Sequence, residues 1–272
     1  MMSEIFSYPF FIRAFFAGTL IAMCASLLGV SLVLKRYSMI GDGLSHVGFC
    51  ALTLATALNL APLTVAIPVV VAAAFLLLRL SESSKIKGDA AIAIISTGAL
   101  AVGVMIISVT TGMNTDVYSY LFGSILTINK NDLYISIVLS IIILILFFVF
   151  YNKLFAITFD ETFARATGVR AETYNMLIAV LTAVTIVLGM RMMGAVLISS
   201  LIIFPALTSM RVYKKFFSVT LCSLFVSVLS FLIGMIISFQ METPTGASIV
   251  LVNIFMFLLF ASFGAVKNLI KK

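Results

Sequence analysis

Apolar runs of about 20 residues, separated by short polar breaks, recur along the chain at 10–34, 39–58, 61–80, 89–110, 131–152, 173–190, 193–212, 216–238 and 247–266. A bilayer span needs about 20 mostly apolar residues, so the pattern predicts an all-α, polytopic membrane bundle of about eight or nine transmembrane helices. The uncertain member is 111–130, a long mixed stretch whose centre, YLFGSIL, is too short to cross and reads as a re-entrant or surface half-helix. Nothing of soluble-domain size lies between the runs, so residues 1–272 read as one transmembrane unit. The first run has no basic region before it and no small-residue cleavage site after it, which predicts a retained helix. It also carries Ala14, Gly18, Ala22 and Ser26 at four-residue spacing, a line along which two backbones can approach closely.

Composition agrees: 62% of residues are hydrophobic, 10% are charged, and the mean hydropathy is +1.24. The net charge of +7 sits at the ends of the runs and therefore sets topology, with no implied nucleic-acid partner. With the N-terminus outside, Lys35, Arg36, Arg79, Lys85, Lys87, Lys153, Arg165, Arg170, Arg211, Lys214, Lys215, Lys267, Lys271 and Lys272 are cytoplasmic, 14 of the 17 basic residues. Only Arg13, Lys130 and Arg191 fall outside, so the positive-inside rule selects N-out, C-in. Cys24, Cys50 and Cys222 are scattered within apolar runs and suggest packing in place of a disulfide framework.

Ionisable residues nearly vanish from the runs, with one exception, Asp42 and His46 in SMIGDGLSHVGFCAL. Four-residue spacing puts both on one helix face. A carboxylate and an imidazole inside a membrane are costly enough to imply function, and an oxygen with a nitrogen donor suits a divalent transition metal such as zinc, manganese or iron. Gly41, Ser45 and Gly48 suggest close packing along the same path. The bland alternative has Asp42 capping the helix and His46 bonded to a backbone carbonyl. Cys50 could extend the series as a third, softer ligand, although a packed cysteine is the simpler reading. Met190, Met192 and Met193 read as gap-fillers.

A second segment, TFDETFARATGVRAE at 158–172, is polar and on the basic side. Thr158 and Glu161 have capping-box spacing and Gly168 suits a left-handed stop, predicting a short exposed helix whose Phe159, Phe163 and Ala164 form an apolar edge for a partner's groove. The chain has no GxxxxGK[ST] phosphate loop, so ATP is not bound that way here.

Six segments in order, LVLKRYSMIGDGLSHVGFCAL (32–52), GDAAIAIISTGALAVGV (88–104), YLFGSIL (120–126), FDETFARATGV (159–169), GAVLISSLIIFPAL (194–207) and ETPTGASIVL (242–251), resemble the permease subunits of bacterial zinc and manganese ABC importers along nearly the whole chain. One departure is Ala51, where that family often has glycine. The resemblance implies a type II importer fold in the bacterial cytoplasmic membrane. It also implies a homodimer around a central path, cytoplasmic ATPase subunits that bind the ATP, and an external metal-binding protein that delivers the ion. By similarity Asp42 and His46 fall in the pathway motif with Gly41, Ser45 and Pro205, while Asp160, Glu161, Phe163, Ala164 and Gly168 fall in the coupling motif. A permease for an iron chelate is the nearest alternative and would need no Asp and His pair. A secondary transporter could use Pro205 and the TPTG break at 243–246, but a proton relay wants more membrane carboxylates than this chain has.

Overall fold

The computed structural model describes residues 9–82, 88–110, 123 and 130–270. Each of the nine apolar runs is a helix: α1 (Pro9–Leu34), α2 (Ser38–Ala57), α3 (Pro62–Glu82), α4 (Gly88–Thr110), α5 (Lys130–Val149), α8 (Ala171–Met193), α9 (Ala195–Val212), α10 (Phe216–Met241) and α11 (Thr245–Ile270). Two short helices, α6 (Tyr151–Phe159) and α7 (Glu161–Ala166), lie between α5 and α8. Eight of the long helices have the length and apolarity to cross a membrane. The ninth is α2, at 20 residues long enough to cross, whose hydropathy is lowered by Asp42, His46 and its glycines and hydroxyls. The expected half-helix at 111–130 lies outside the described residues, apart from Gly123.

Helices α1, α8 and α9 form the centre, since most of each is buried, whereas α3, α4, α5 and α11 bury less than a third. Lipid supplies no hydrophobic drive between helices, so small residues and polar links decide what packs. The line Ala14, Gly18, Ala22 and Ser26 is buried or tightly covered as expected: a Cβ on Gly18 would lie 2.2 Å from the Phe231 ring of α10. Along the same seam Ser227 Oγ donates to the Ala22 carbonyl at 2.9 Å and Ser223 Oγ to that of Ser26 at 3.4 Å. Interhelical links of this kind contribute about 0.6 kcal/mol each. Met190, Met192 and Met193 are buried, and Met190 packs on Gly48.

The break after α5 differs from the expected single run over 131–152. Phe216, at the start of α10, collects the rings of Tyr151, Phe155 and Phe159 at 5.5, 5.1 and 5.9 Å. This cluster pins 151–159 as a separate helix and carries the chain to the polar segment. Thr158 is therefore inside α6, donating to Leu154 O at 2.6 Å. Asp160 takes the cap position instead.

Candidate functional site

Helix α2 packs on α3, α4, α8 and α9 and is buried almost all round. Between Met39 and Leu54 every residue is buried except Met39, Asp42, His46, Cys50 and Leu54, which follow one another at three- and four-residue steps. The result is one open stripe along an otherwise enclosed helix, with the carboxylate, imidazole and thiol in its middle. Asp42 and His46 lie roughly 6 and 12 Å along the axis from the Ser38 end.

The pair is close without being locked. His46 Nε2 is 3.6 Å from Asp42 Oδ2, and the side chains are 20% and 44% exposed. His46 Nδ1 is buried with no hydrogen-bond partner, so the ring presents Nε2 to the open side. Ser45, buried at the next position, donates to the Asp42 carbonyl at 2.7 Å and faces inward. Gly41 abuts α9, where a Cβ would sit 3.3 Å from Ile202. Pro205 is buried within α9, without contributing a donor to the helix ladder.

The bland alternative for these residues fails on both counts. The N-cap of α2 is Tyr37, so Asp42 is a full turn inside the helix, and His46 is bonded to no carbonyl through Nδ1. Cys50 is half-buried and stands on the same stripe. Among the described residues no three His, Cys, Asp or Glu side chains come together as a metal cluster. One chain thus offers two good donors on a surface. The buried Ser199 of α9 donates its hydroxyl to the Ala195 carbonyl of its own helix at 3.2 Å.

The polar segment is built the opposite way. Asp160 has extended backbone and accepts from Phe163 N at 2.9 Å, which caps α7 and replaces the expected Thr158 cap. At the other end Gly168, at φ +86°, receives the chain while Val169 N donates to Ala164 O and Gly168 N to Arg165 O, a Schellman stop. Glu161 joins three elements. Its carboxylate accepts from Arg165 at 2.8 Å and Asn175 at 3.1 Å and pairs with Lys35 at 3.3 Å, while Lys35 also donates to Asn175. Burial would raise the Glu161 pKa, but the hydrogen bonds from Asn175 and Arg165 and the Lys35 charge outweigh it and hold the carboxyl below its ordinary value.

Ala164 corrects the expected docking edge. It is fully buried beneath α7, so it packs the helix onto the bundle and cannot touch a partner, while Phe159 and Phe163 are exposed at 57% and 64%. The Lys35–Glu161 pair ties this segment to the end of α1, whereas Arg191 pairs with Asp132 at 3.3 Å where α8 ends and α5 begins. These two clusters mark opposite ends of the bundle.

The sequence pattern of the ABC 3 transport family matches residues 7–264. The chain is 30% identical to the high-affinity zinc uptake system membrane protein ZnuB of Haemophilus influenzae, covering 90% of this chain and 94% of that one. It is 28% identical to the manganese transport system membrane protein MntC of Halalkalibacterium halodurans, covering 94% and 88%. In structure it matches PsaBC from Streptococcus pneumoniae, solved in complex with Fab, with a TM-score of 0.85 and 29% identity over 96% of this chain and 95% of that chain.

Proposed function

The chain belongs to the ABC 3 transport family, and we propose that it is the membrane permease of an ATP-driven importer carrying a divalent transition metal, zinc or manganese, into the cytoplasm. The observation that carries the reading is the open stripe on α2. An isolated carboxylate and imidazole facing lipid are expensive, yet here both stand on the one uncovered stripe of a helix that is otherwise largely buried. A second copy of the chain across a two-fold axis removes that cost and brings the pair twice, giving four donors. Four is the number a zinc site commonly uses.

In this arrangement the carboxylate offsets the ion's charge, Nε2 replaces a water of hydration, and Cys50 is a weaker third donor on the same line. Because the donors lie on a surface shared by two copies, binding is loose enough for release, as conduction requires. The names of the relatives support both metals, and oxygen and nitrogen donors accept either.

The whole chain acts as one permease unit, with 158–172 as its cytoplasmic coupling segment. Exposed Phe159 and Phe163 dock into an ATPase subunit, and Glu161 passes the motion to α1 and α8 through Lys35 and Asn175. An external metal-binding protein delivers the ion at the Arg191–Asp132 end, with the N-terminus outside and the C-terminus in the cytoplasm, the orientation that the excess of basic residues at the other end supports. The test is uptake of ⁶⁵Zn or ⁵⁴Mn into vesicles holding the permease with and without its ATPase subunits. ATP-dependent uptake only in the full complex is expected; equal uptake by the permease alone contradicts it.

A further inference from the structure

An apolar groove of about 1020 Å³ opens between α10 and α11 beside the turn that joins α9 to α10, lined among others by Tyr213, Phe217, Leu221, Phe225, Leu259 and Phe263. Nothing in the transport path uses it. The Asp42–His46 stripe opens on α2, whose neighbours are α3, α4, α8 and α9, so a second copy seated on the stripe needs nothing from this groove.

Its chemistry changes sharply at one end. The walls are aromatic and aliphatic, and Phe217, Leu221 and Phe225 are each more than half exposed. In the turn between the lining residues Tyr213 and Phe217 come Lys214 and Lys215, both exposed and neither side chain engaged in an ion pair or hydrogen bond among the described residues. The third cation of the turn, Arg211, instead sits over the Phe257 ring at 5.3 Å. An apolar slot on the lipid-facing side of two apolar helices, with a tyrosine in its lining and two exposed lysines in the adjoining turn, matches an amphiphile with acyl chains and an anionic head.

We propose that this groove is a binding site for an anionic phospholipid, with an acyl chain along Phe217, Leu221 and Phe225 and the phosphate held by Lys214 and Lys215. A zwitterionic lipid fits the slot equally well, so the lysines confer the preference, on the order of fivefold per lysine.

The chain contains no tryptophan, so Phe217→Trp puts a single reporter in the groove, with Leu221→Trp as a second reporter should the first not fold. Phe148→Trp, on exposed α5 surface outside the groove, is the control. The full-length protein is titrated in nanodiscs with brominated phosphatidylglycerol or brominated phosphatidylcholine. Expected is preferential quenching of the groove reporter by phosphatidylglycerol, lost in Lys214→Gln/Lys215→Gln, retained in Lys214→Arg/Lys215→Arg, and absent at Phe148→Trp. Equal quenching by the two lipids at the groove overturns the proposal in favour of ordinary annular lipid. No quenching by either also overturns it, and points to coverage of the groove by protein.

Discussion

Helix α2 and the α7 segment both place charge at the edge of an apolar bundle, and they do so in opposite ways. In α2 the carboxylate and imidazole are half-open, 3.6 Å apart, with one imidazole nitrogen left without a partner. Around α7 the Glu161 carboxylate is met by Arg165, Asn175 and Lys35, and both helix ends are capped. A polar group already satisfied by its own chain is a fastener. One that is left short of partners inside an apolar bundle is open to something the chain does not supply, and the contrast separates the proposed coupling segment from the proposed ion path.

The contrast breaks most completely at Ala164. Its side chain has no exposure, so Ala164→Glu buries a charge without a partner and should undock α7 altogether, abolishing ATPase association while the transmembrane helices stay inserted. Pull-down of the ATPase subunit checks this, and intact association would show that the segment's packing is irrelevant to coupling. Next is Glu161→Leu, which takes from the buried Lys35 ammonium the carboxylate 3.3 Å away and leaves it Asn175. The expected loss is about 2–3 kcal/mol, below the 3–5 of a fully buried pair because the carboxylate is a third exposed. The double variant Lys35→Met/Glu161→Leu should recover much of it. Asp42→Asn, by contrast, should change thermal stability by no more than about 0.5 kcal/mol, so equal losses at the two sites in a melting series would erase the distinction.

Smaller effects sharpen it. A Cβ at Gly168 meets nothing within 4 Å, so Gly168→Val acts through the backbone alone, at φ +86°, and should cost about 1 kcal/mol or more, with Gly168→Asn tolerated. Amide exchange across 161–169 reads this directly. Smallest is the pH response of α7. Because the folded state lowers the Glu161 pKa, its contribution is present above the usual glutamate value of 4.5 and is lost as pH falls through the lower, folded value. Protection of α7 should fall on acidification below that range and the fall should vanish in Glu161→Gln.

Much of the fold was legible from length and apolarity, and so was the Asp42–His46 pair, because an ionisable pair stands out against an apolar run. The failures were of side and of cap. Thr158 and Asp160 are both good N-caps, and the spacing from Thr158 to Glu161 is that of a capping box. The Phe216 ring cluster decides between them by extending α6 through Phe159. Likewise 159, 163 and 164 can share a helix face by spacing, but the Glu161 link to Lys35 and Asn175 rotates Ala164 inward and leaves the two phenylalanines out. The partial exposure of Cys50 was hidden because a side chain in an apolar run carries no sign of what lies level with it on another helix.

The most direct measurement is initial-rate uptake of ⁶⁵Zn and ⁵⁴Mn by reconstituted complexes of native protein, Asp42→Asn and His46→Ala, alongside ATPase association for each. Loss of an outer-shell partner of a metal ligand already costs about 10–100-fold, so loss of either donor should reduce uptake of the transported metal by about a hundredfold or more while association remains native. Native uptake of both metals in either variant would contradict the account.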